Sequence, residues 1–137
     1  MRSKKIFISY RFTGENPEEL KHTIPCIHDA LERAGYGVYS TIFESNQFTN
    51  EQWSGKQIMQ KAFSEIDKAD EILFFVQSSD VSQGMLIELG YALARKKNTA
   101  LAIQRDITKS IFRRHINQII EFSDLRDLLE KLSSIEW

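Results

Sequence analysis

Cysteine is nearly missing: Cys26 is the only one in 137 residues. A lone thiol forms no internal disulfide and no metal site, and it fits a reducing compartment. Prolines number two, and there is no repeat, low-complexity tract or linker. No apolar run approaches the roughly 20 residues that a membrane-spanning helix needs. The opening MRSKKIFISY carries basic residues and a short apolar run but no small-residue cleavage site, so no secretion signal is expected. An excess of one charge is also missing. The net charge of -1 speaks against nucleic acid or an anionic membrane surface as partner. These absences give the expectation of a cytoplasmic protein. A small phosphate-bearing ligand held by one or two local cations stays compatible with them.

What is present suits one globular domain. Apolar residues make up 42% and charged residues 27%, both ordinary values. The length is enough for one core, so residues 1–137 are expected to form one domain.

Ile6-Phe7-Ile8 reads as a first strand, and Ser9 to Gly14 as the loop after it. Asn16, Pro17 and two glutamates mark a helix start, and Gly35 its stop. Pro25 is expected to kink that helix or split it in two. Ile27, Ala30, Leu31 and Ala34 mark its buried face. A second strand covers residues 37–40. A loop follows over 41–50, with Phe43 and Phe48 exposed. A helix from about Glu51 to Lys68 presents Ile58, Met59, Ala62, Phe63 and Ile66 on one face. Residues 71–76, EILFFV, form an unbroken apolar run, which suits a central strand buried on both sides. Phe74 and Phe75 belong to the core. A polar loop, 78–84, leads to a helix from Met85 to Lys96. Strands at 99–103 and 117–122 and a last helix capped by Ser123 complete the chain, with Leu125, Leu128, Leu129 and Leu132 facing inward. The alternation implies a doubly wound α/β fold, with five parallel strands and helices on both faces.

In such folds ligands bind beyond the carboxyl ends of the strands. The first loop offers Ser9, Tyr10, Arg11 and Thr13 there. The loop after the third strand offers Ser78, Ser79, Asp80, Ser82 and Gly84. Glu88 lies four residues past Gly84 and six past Ser82, on the helix that this loop starts. Leu86, Leu89 and Leu93 would turn toward the sheet. Gly84 lets backbone approach a ligand, and free N–H groups beside the Ser82 hydroxyl suit an anion. Gly90, mid-helix, costs about 1 kcal/mol relative to alanine, which close packing on the sheet or on a partner would offset. An acid early in a helix is ordinarily a dipole effect. The joint arrangement of Ser82, Gly84, Glu88 and Gly90 gives Glu88 more weight than that.

The segment Ser82-Gln-Gly84-Met-Leu-Ile-Glu88-Leu-Gly90-Tyr91-Ala92 resembles nucleoside 2-deoxyribosyltransferases and the related deoxynucleoside monophosphate N-glycosidases. Lys68-Ala69-Asp70-Glu71, the opening Ile6 to Arg11 and the closing Ser123-Asp124-Leu125 fit as well. The likeness spans most of the chain, and the Glu88 motif is its specific part. It implies that Glu88 attacks the anomeric carbon, displaces the base and forms a covalent glycosyl-enzyme, as in retaining glycosidases. A second base or water then releases the sugar. It implies that Ser82 contacts the 5′ side or a 5′-phosphate, and that Ser9 and Arg11 help to close the pocket. Glu88 must be ionised, so no strongly raised pKa is expected. The family's usual aspartate, eight residues before the position of Asp70, is Ala62 here. Asp67 and Glu65 lie nearby but would point elsewhere on the helix, and Asp80, on the loop after the third strand, could compensate. Homodimers or larger homo-oligomers are implied, with Met59, Phe63, Met85 and Tyr91 as contact candidates.

Ile6 to Arg11 also resembles the opening of Toll/interleukin-1 receptor (TIR) domains, some of which cleave NAD at its nicotinamide glycosidic bond. They too place a glutamate before a leucine on the corresponding helix. A third expectation is a nucleotide-binding domain that has lost the chemistry. No cofactor and no metal is called for. Trp53, beside the second loop, could stack on a base, and Tyr10 and Tyr39 are similar candidates. His22, His28 and His115 have no nucleophile spacing around them and read as surface or structural. Cys26 reads as a buried small hydrophobe. Arg113-Arg114-His115 reads as a solvated basic surface.

Overall fold

The computed structural model describes residues 3–80 and 82–137. Met1, Arg2 and Val81 lie outside the described residues. The elements run β1 (Lys5–Tyr10), α1 (Pro17–Arg33), β2 (Gly37–Tyr39), a 3-10 turn (Thr41–Glu44), α2 (Ser45–Asn50), α3 (Gly55–Lys68), β3 (Glu71–Val76), α4 (Gln83–Ala94), β4 (Asn98–Gln104), α5 (Ile111–His115), β5 (Gln118–Phe122) and α6 (Leu125–Ser133). The five strands form one parallel sheet in the order β2-β1-β3-β4-β5. This is the doubly wound α/β fold expected from the alternation.

Strand side chains alternate between two cores. Ile6, Ile8, Leu73, Phe75, Ala100 and Ala102 join α1 and α6 on one face. Phe7, Ile72, Phe74, Val76, Leu101 and Ile103 join α3, α4 and α5 on the other. Every residue of β3 is buried, Ile72 to Val76 as an apolar run requires and Glu71 with Lys4 and Asn98 donating to its carboxylate. Among the described residues no helix is long and apolar enough to cross a membrane.

Several local expectations need correction. Pro25 does not divide α1, which is a single helix of 17 residues. Leu20, Ile24, Ile27, His28 and Leu31 are buried along its whole length, and this packing outweighs the roughly 3 kcal/mol cost of the proline. Ala34 is its exposed C-cap, and Gly35 takes φ +99° after it. Residues 41–50 are a 3-10 turn and a short helix rather than a loop, and Phe48 is buried against Trp53. Phe43 is exposed as expected. The next helix starts at Gly55, where Ser54 and Gln57 form a capping box. Asp124, not Ser123, caps α6, with Oδ1 accepting the Asp127 N–H at 2.8 Å. Both residues are good caps, and Asp124 sits at the right distance from Asp127. The residues around Arg113 form a helix, α5, whose Phe112 enters the core. Cys26 is only partly buried, with Sγ 4.0 Å from His22 Nε2.

Two corrections concern α4. Met85, Leu89 and Ala92 are its buried residues, whereas Leu93 is 41% exposed. The stripe is therefore rotated by one residue from the expected Leu86-Leu89-Leu93. Glu88 completes the i, i+3, i+4, i+7 set with Met85, Leu89 and Ala92, which turns it toward the sheet. Gly90 is exposed, and a Cβ there would meet nothing within 4 Å. Close packing on the sheet does not explain it.

Candidate active site

Strand order reverses at β1. From β1 the chain passes to β2 on one side, then to β3 and β4 on the other. The carboxyl ends of β1 and β3 thus border the crevice where doubly wound folds bind ligands. Ser9 and Tyr10, expected in a loop, are the last two residues of β1, and Ser9 pairs with Phe74 of β3. Ser9 shares the parity of Phe7 and so faces α3 and α4.

Ser9 meets Glu88 there. Its hydroxyl donates to Glu88 Oε1 at 2.7 Å. The serine is 1% exposed and the glutamate is partly buried. Burial pushes the Glu88 carboxyl up to about 7, against a smaller lowering by the Ser9 hydrogen bond. The expectation of a carboxylate without a strongly raised pKa is thereby overturned. The inward stripe of α4 removes the group from water, and one hydroxyl does not offset that loss.

Ser82 is the N-cap of α4, and its Oγ accepts the Met85 N–H at 3.2 Å. Among the described residues the hydroxyl proton has no acceptor. A Cβ on Gly84 would come no closer than 4.0 Å to another residue, at Met59 Cε. Arg11 Nη1 reaches Glu15 Oε1 at 3.2 Å and Asp80 Oδ2 at 3.4 Å. Gly14, at φ +85°, makes room for this guanidinium, because a Cβ would lie 2.6 Å from Arg11 Nη2. A narrow cleft, with a free volume of only about 10 Å³, lies between Arg11, Glu15, Ser78, Asp80, Ser82 and Phe112. Ser9 and Glu88 do not line it; they stand beside it, linked to its wall through Arg11 and through Ser82 of α4.

The other candidates divide. Tyr10 packs on the opposite face, and its hydroxyl pairs with Thr41 Oγ1 at 3.1 Å. Its pKa is raised, mainly by burial, with the Glu88 charge adding to the effect. Tyr39 stacks on Phe7 at 5.7 Å, so it stands one strand over on the Ser9 face. Burial raises its pKa, with the nearby Glu44 carboxylate adding to the effect, and among the described residues its buried hydroxyl makes no hydrogen bond of good geometry. Trp53 is turned to Phe48, and its Nε1 donates to Glu51 at 2.9 Å. Among the described residues none of its ring contacts or hydrogen bonds reaches Ser9, Ser82 or Glu88. Asp80 is held by Arg11, and its side chain is 74% exposed. It is not brought to Glu88, which weakens it as a stand-in for the missing aspartate. Ala62 is buried in the core of α3. Glu15 and Phe112 complete the cleft without having been anticipated, and no local signal in the sequence marks either. His28, by contrast, is a buried structural group, with Nε2 2.7 Å from Ser40 Oγ.

Residues 10–124 match the family description nucleoside 2-deoxyribosyltransferase. The chain belongs to the nucleoside 2-deoxyribosyltransferase family. The match runs from Tyr10, the last residue of β1, to Asp124, the N-cap of α6, and includes Glu88. Solved structures carry the same fold. The Clostridium botulinum CMP N-glycosidase BcmB is 23% identical with a TM-score of 0.71, over 94% of this chain and 97% of that one. A 2-deoxyribosyltransferase from Bacillus psychrosaccharolyticus is 21% identical with a TM-score of 0.68, over 97% and 93%. A conserved protein from Enterococcus faecalis V583 is 12% identical with a TM-score of 0.60, over 96% and 98%. Comparison with curated proteins gives no match. Membership of the deoxyribosyltransferase family supports an enzyme of glycosyl transfer or cleavage on a nucleoside or nucleotide.

Proposed function

We propose that this member of the family breaks the N-glycosidic bond of a (deoxy)nucleoside or nucleotide with Glu88 as nucleophile. The observation that supports it is the Ser9–Glu88 contact at 2.7 Å at the switch point of the sheet. In the first step a Glu88 lone pair forms a bond to the anomeric carbon while the carbon–nitrogen bond breaks. The departing base nitrogen keeps that electron pair and takes a proton from solvent. In the second step water or another base bonds to the same carbon, and the carboxylate leaves with its pair. Ser82 would donate to the 5′ side of the sugar. The open space over Gly84 would admit that group close to backbone N–H groups. Arg11 would close the mouth, and Tyr39 would stand by the sugar or base on the Ser9 face.

The test is product analysis on deoxynucleosides, deoxynucleotides, their ribose counterparts and NAD. Free base should appear with wild type and vanish with Glu88→Ala. Mass spectrometry of denatured enzyme should show a sugar on Glu88. Wild-type rates in Glu88→Ala would end this reading. A wild type that turns over none of the panel, while a nucleotide still raises the melting temperature, would favour a binding domain.

A homo-oligomer built on α4 belongs to the same reading. Glu88 is the only charged residue of this helix, and it faces inward. The outer side offers Ile87 at 51% exposure, Leu93 and the open surface of Gly90. A helix that lacks a polar face is normally covered. Met85, expected at such an interface, is instead buried within the chain, and Phe63 and Tyr91 stack on each other at 4.1 Å.

A further inference from the structure

The two oxygens of Glu88 have different surroundings. Oε1 holds the Ser9 hydroxyl at 2.7 Å, while Oε2 has no hydrogen-bond partner among the described residues. Ser9 stands on β1, which is laddered to β2 on one side and to β3 on the other. Ser9 itself pairs with Phe74 of β3, while the ladder to β2 ends at Phe7, so its backbone is fixed from the β3 side. Its one hydrogen bond among the described residues goes to Glu88. A carboxylate with one oxygen tethered and one free has a chosen attacking atom. We infer that Ser9 is a positioning residue, whose hydroxyl anchors Oε1 and leaves Oε2 to bond to the anomeric carbon.

This rests on Glu88 being the nucleophile, and it assigns Ser9 a part other than holding substrate. When Oε2 attacks, Oε1 becomes the carbonyl oxygen of the glycosyl ester. A hydrogen bond to an ionised acceptor is stronger than one to a neutral acceptor. Ser9 therefore stabilises the carboxylate more than the ester. It favours ionisation of the free enzyme, and it favours departure of the carboxylate in the second step. Loss of the hydroxyl should slow release of the sugar more than its capture. Tyr10 is the titratable neighbour that feels the Glu88 charge, and it is held above its usual range. It stays neutral while Glu88 titrates. Arg11 is occupied by Glu15 and Asp80. Neither group reproduces the effect of the serine.

The experiment compares Ser9→Ala, Ser9→Thr and Glu88→Gln with wild type. In Ser9→Ala the acid limb of kcat/KM should move to higher pH. The rate on that limb should fall about tenfold, the scale of one charge-assisted hydrogen bond. Intact-mass spectra at steady state should show more glycosyl-protein than wild type. Ser9→Thr, which keeps the hydroxyl, should restore both. A carbon NMR titration of the Glu88 carboxyl, without substrate, should show the same upward move in folded Ser9→Ala. If Glu88→Gln is inactive while Ser9→Ala keeps the wild-type limb, titration and adduct level, the nucleophile stands and the role of Ser9 is overturned. A rise in KM alone would make Ser9 a substrate contact and also overturn it. If Glu88→Gln keeps wild-type activity, the nucleophile reading itself fails.

Discussion

Arg11 spans the mouth of the switch point, with Nη1 3.4 Å from Asp80 Oδ2, and so ties the segment after β1 to the loop after β3. Glu15 holds the same guanidinium from its own side. The single cation is thus matched by two acids, and its attraction for a phosphate is muted. With Asp80 largely exposed, the pair contributes little to stability, on the order of 0–1 kcal/mol.

Asp80→Asn should therefore leave the melting temperature within about 3 °C of wild type. It should lower KM for a 5′-phosphorylated substrate more than for the matching nucleoside. Steady-state kinetics on the two substrates checks this. An equal effect on both would mean that Arg11 does not face the 5′ side.

Glu88 makes stability depend on pH. Its folded value of about 7 lies above the ordinary 4.5, so the folded state holds the proton more tightly than the unfolded chain does. The associated stability is complete below pH 4.5 and is lost as pH rises to about 7, a swing of about 3 kcal/mol. Glu88→Gln should remove that loss, raising stability at pH 8 and changing little at pH 4. Urea titrations of both proteins across pH 4–8 measure it.

His28 works the other way. Its burial lowers it from 6.5 to about 4, so its stability is present above pH 6.5 and is lost as pH falls through that interval. The size is again about 3 kcal/mol. In wild type the two groups offset each other between about pH 4.5 and 6.5. In Glu88→Gln the acid-side loss from His28 should stand out alone. Adding Ser40→Ala, which removes the hydroxyl 2.7 Å from His28, should cost a further 1–3 kcal/mol or so at neutral pH.

Gly14 has two reasons to be glycine, its φ of +85° and the 2.6 Å approach of Arg11. Gly14→Ala should cost on the order of 1–2 kcal/mol. It should also displace Arg11, so substrate affinity should fall together with the melting temperature. An unchanged KM would separate Arg11 from the substrate.

Ile87→Glu places a charge on the outer side of α4, 51% exposed in the single chain. If copies of the chain meet on that side, light scattering at micromolar concentration should show an assembly for wild type and a smaller species for the variant. A monomeric wild type would sink the oligomer.

The strands were legible because their signals are long, and Glu88 stood out as a candidate because the polar and small residues around it are dense. The run 71–76 has no alternation, and Ser82, Gly84, Glu88 and Gly90 crowd one stretch. The short helices α2 and α5 were not legible. Each has five or six residues, and tertiary packing of Phe48 and Phe112 decides them rather than periodicity. The register of α4 was misjudged because the helix is apolar nearly all round, so leucine spacing alone fits more than one face. The raised pKa of Glu88 and its tie to Ser9 depend on contacts between residues 79 positions apart, which no local pattern encodes.

The position of β1 inside the sheet has one more effect. Interior ladders are the last parts of a domain to open, while loops and edges open first. Deuterium should enter the amides around Ser9 far more slowly than those of the segments bearing Arg11 and Asp80. On warming, the grip on a ligand should slacken while the seat of Ser9 is still intact.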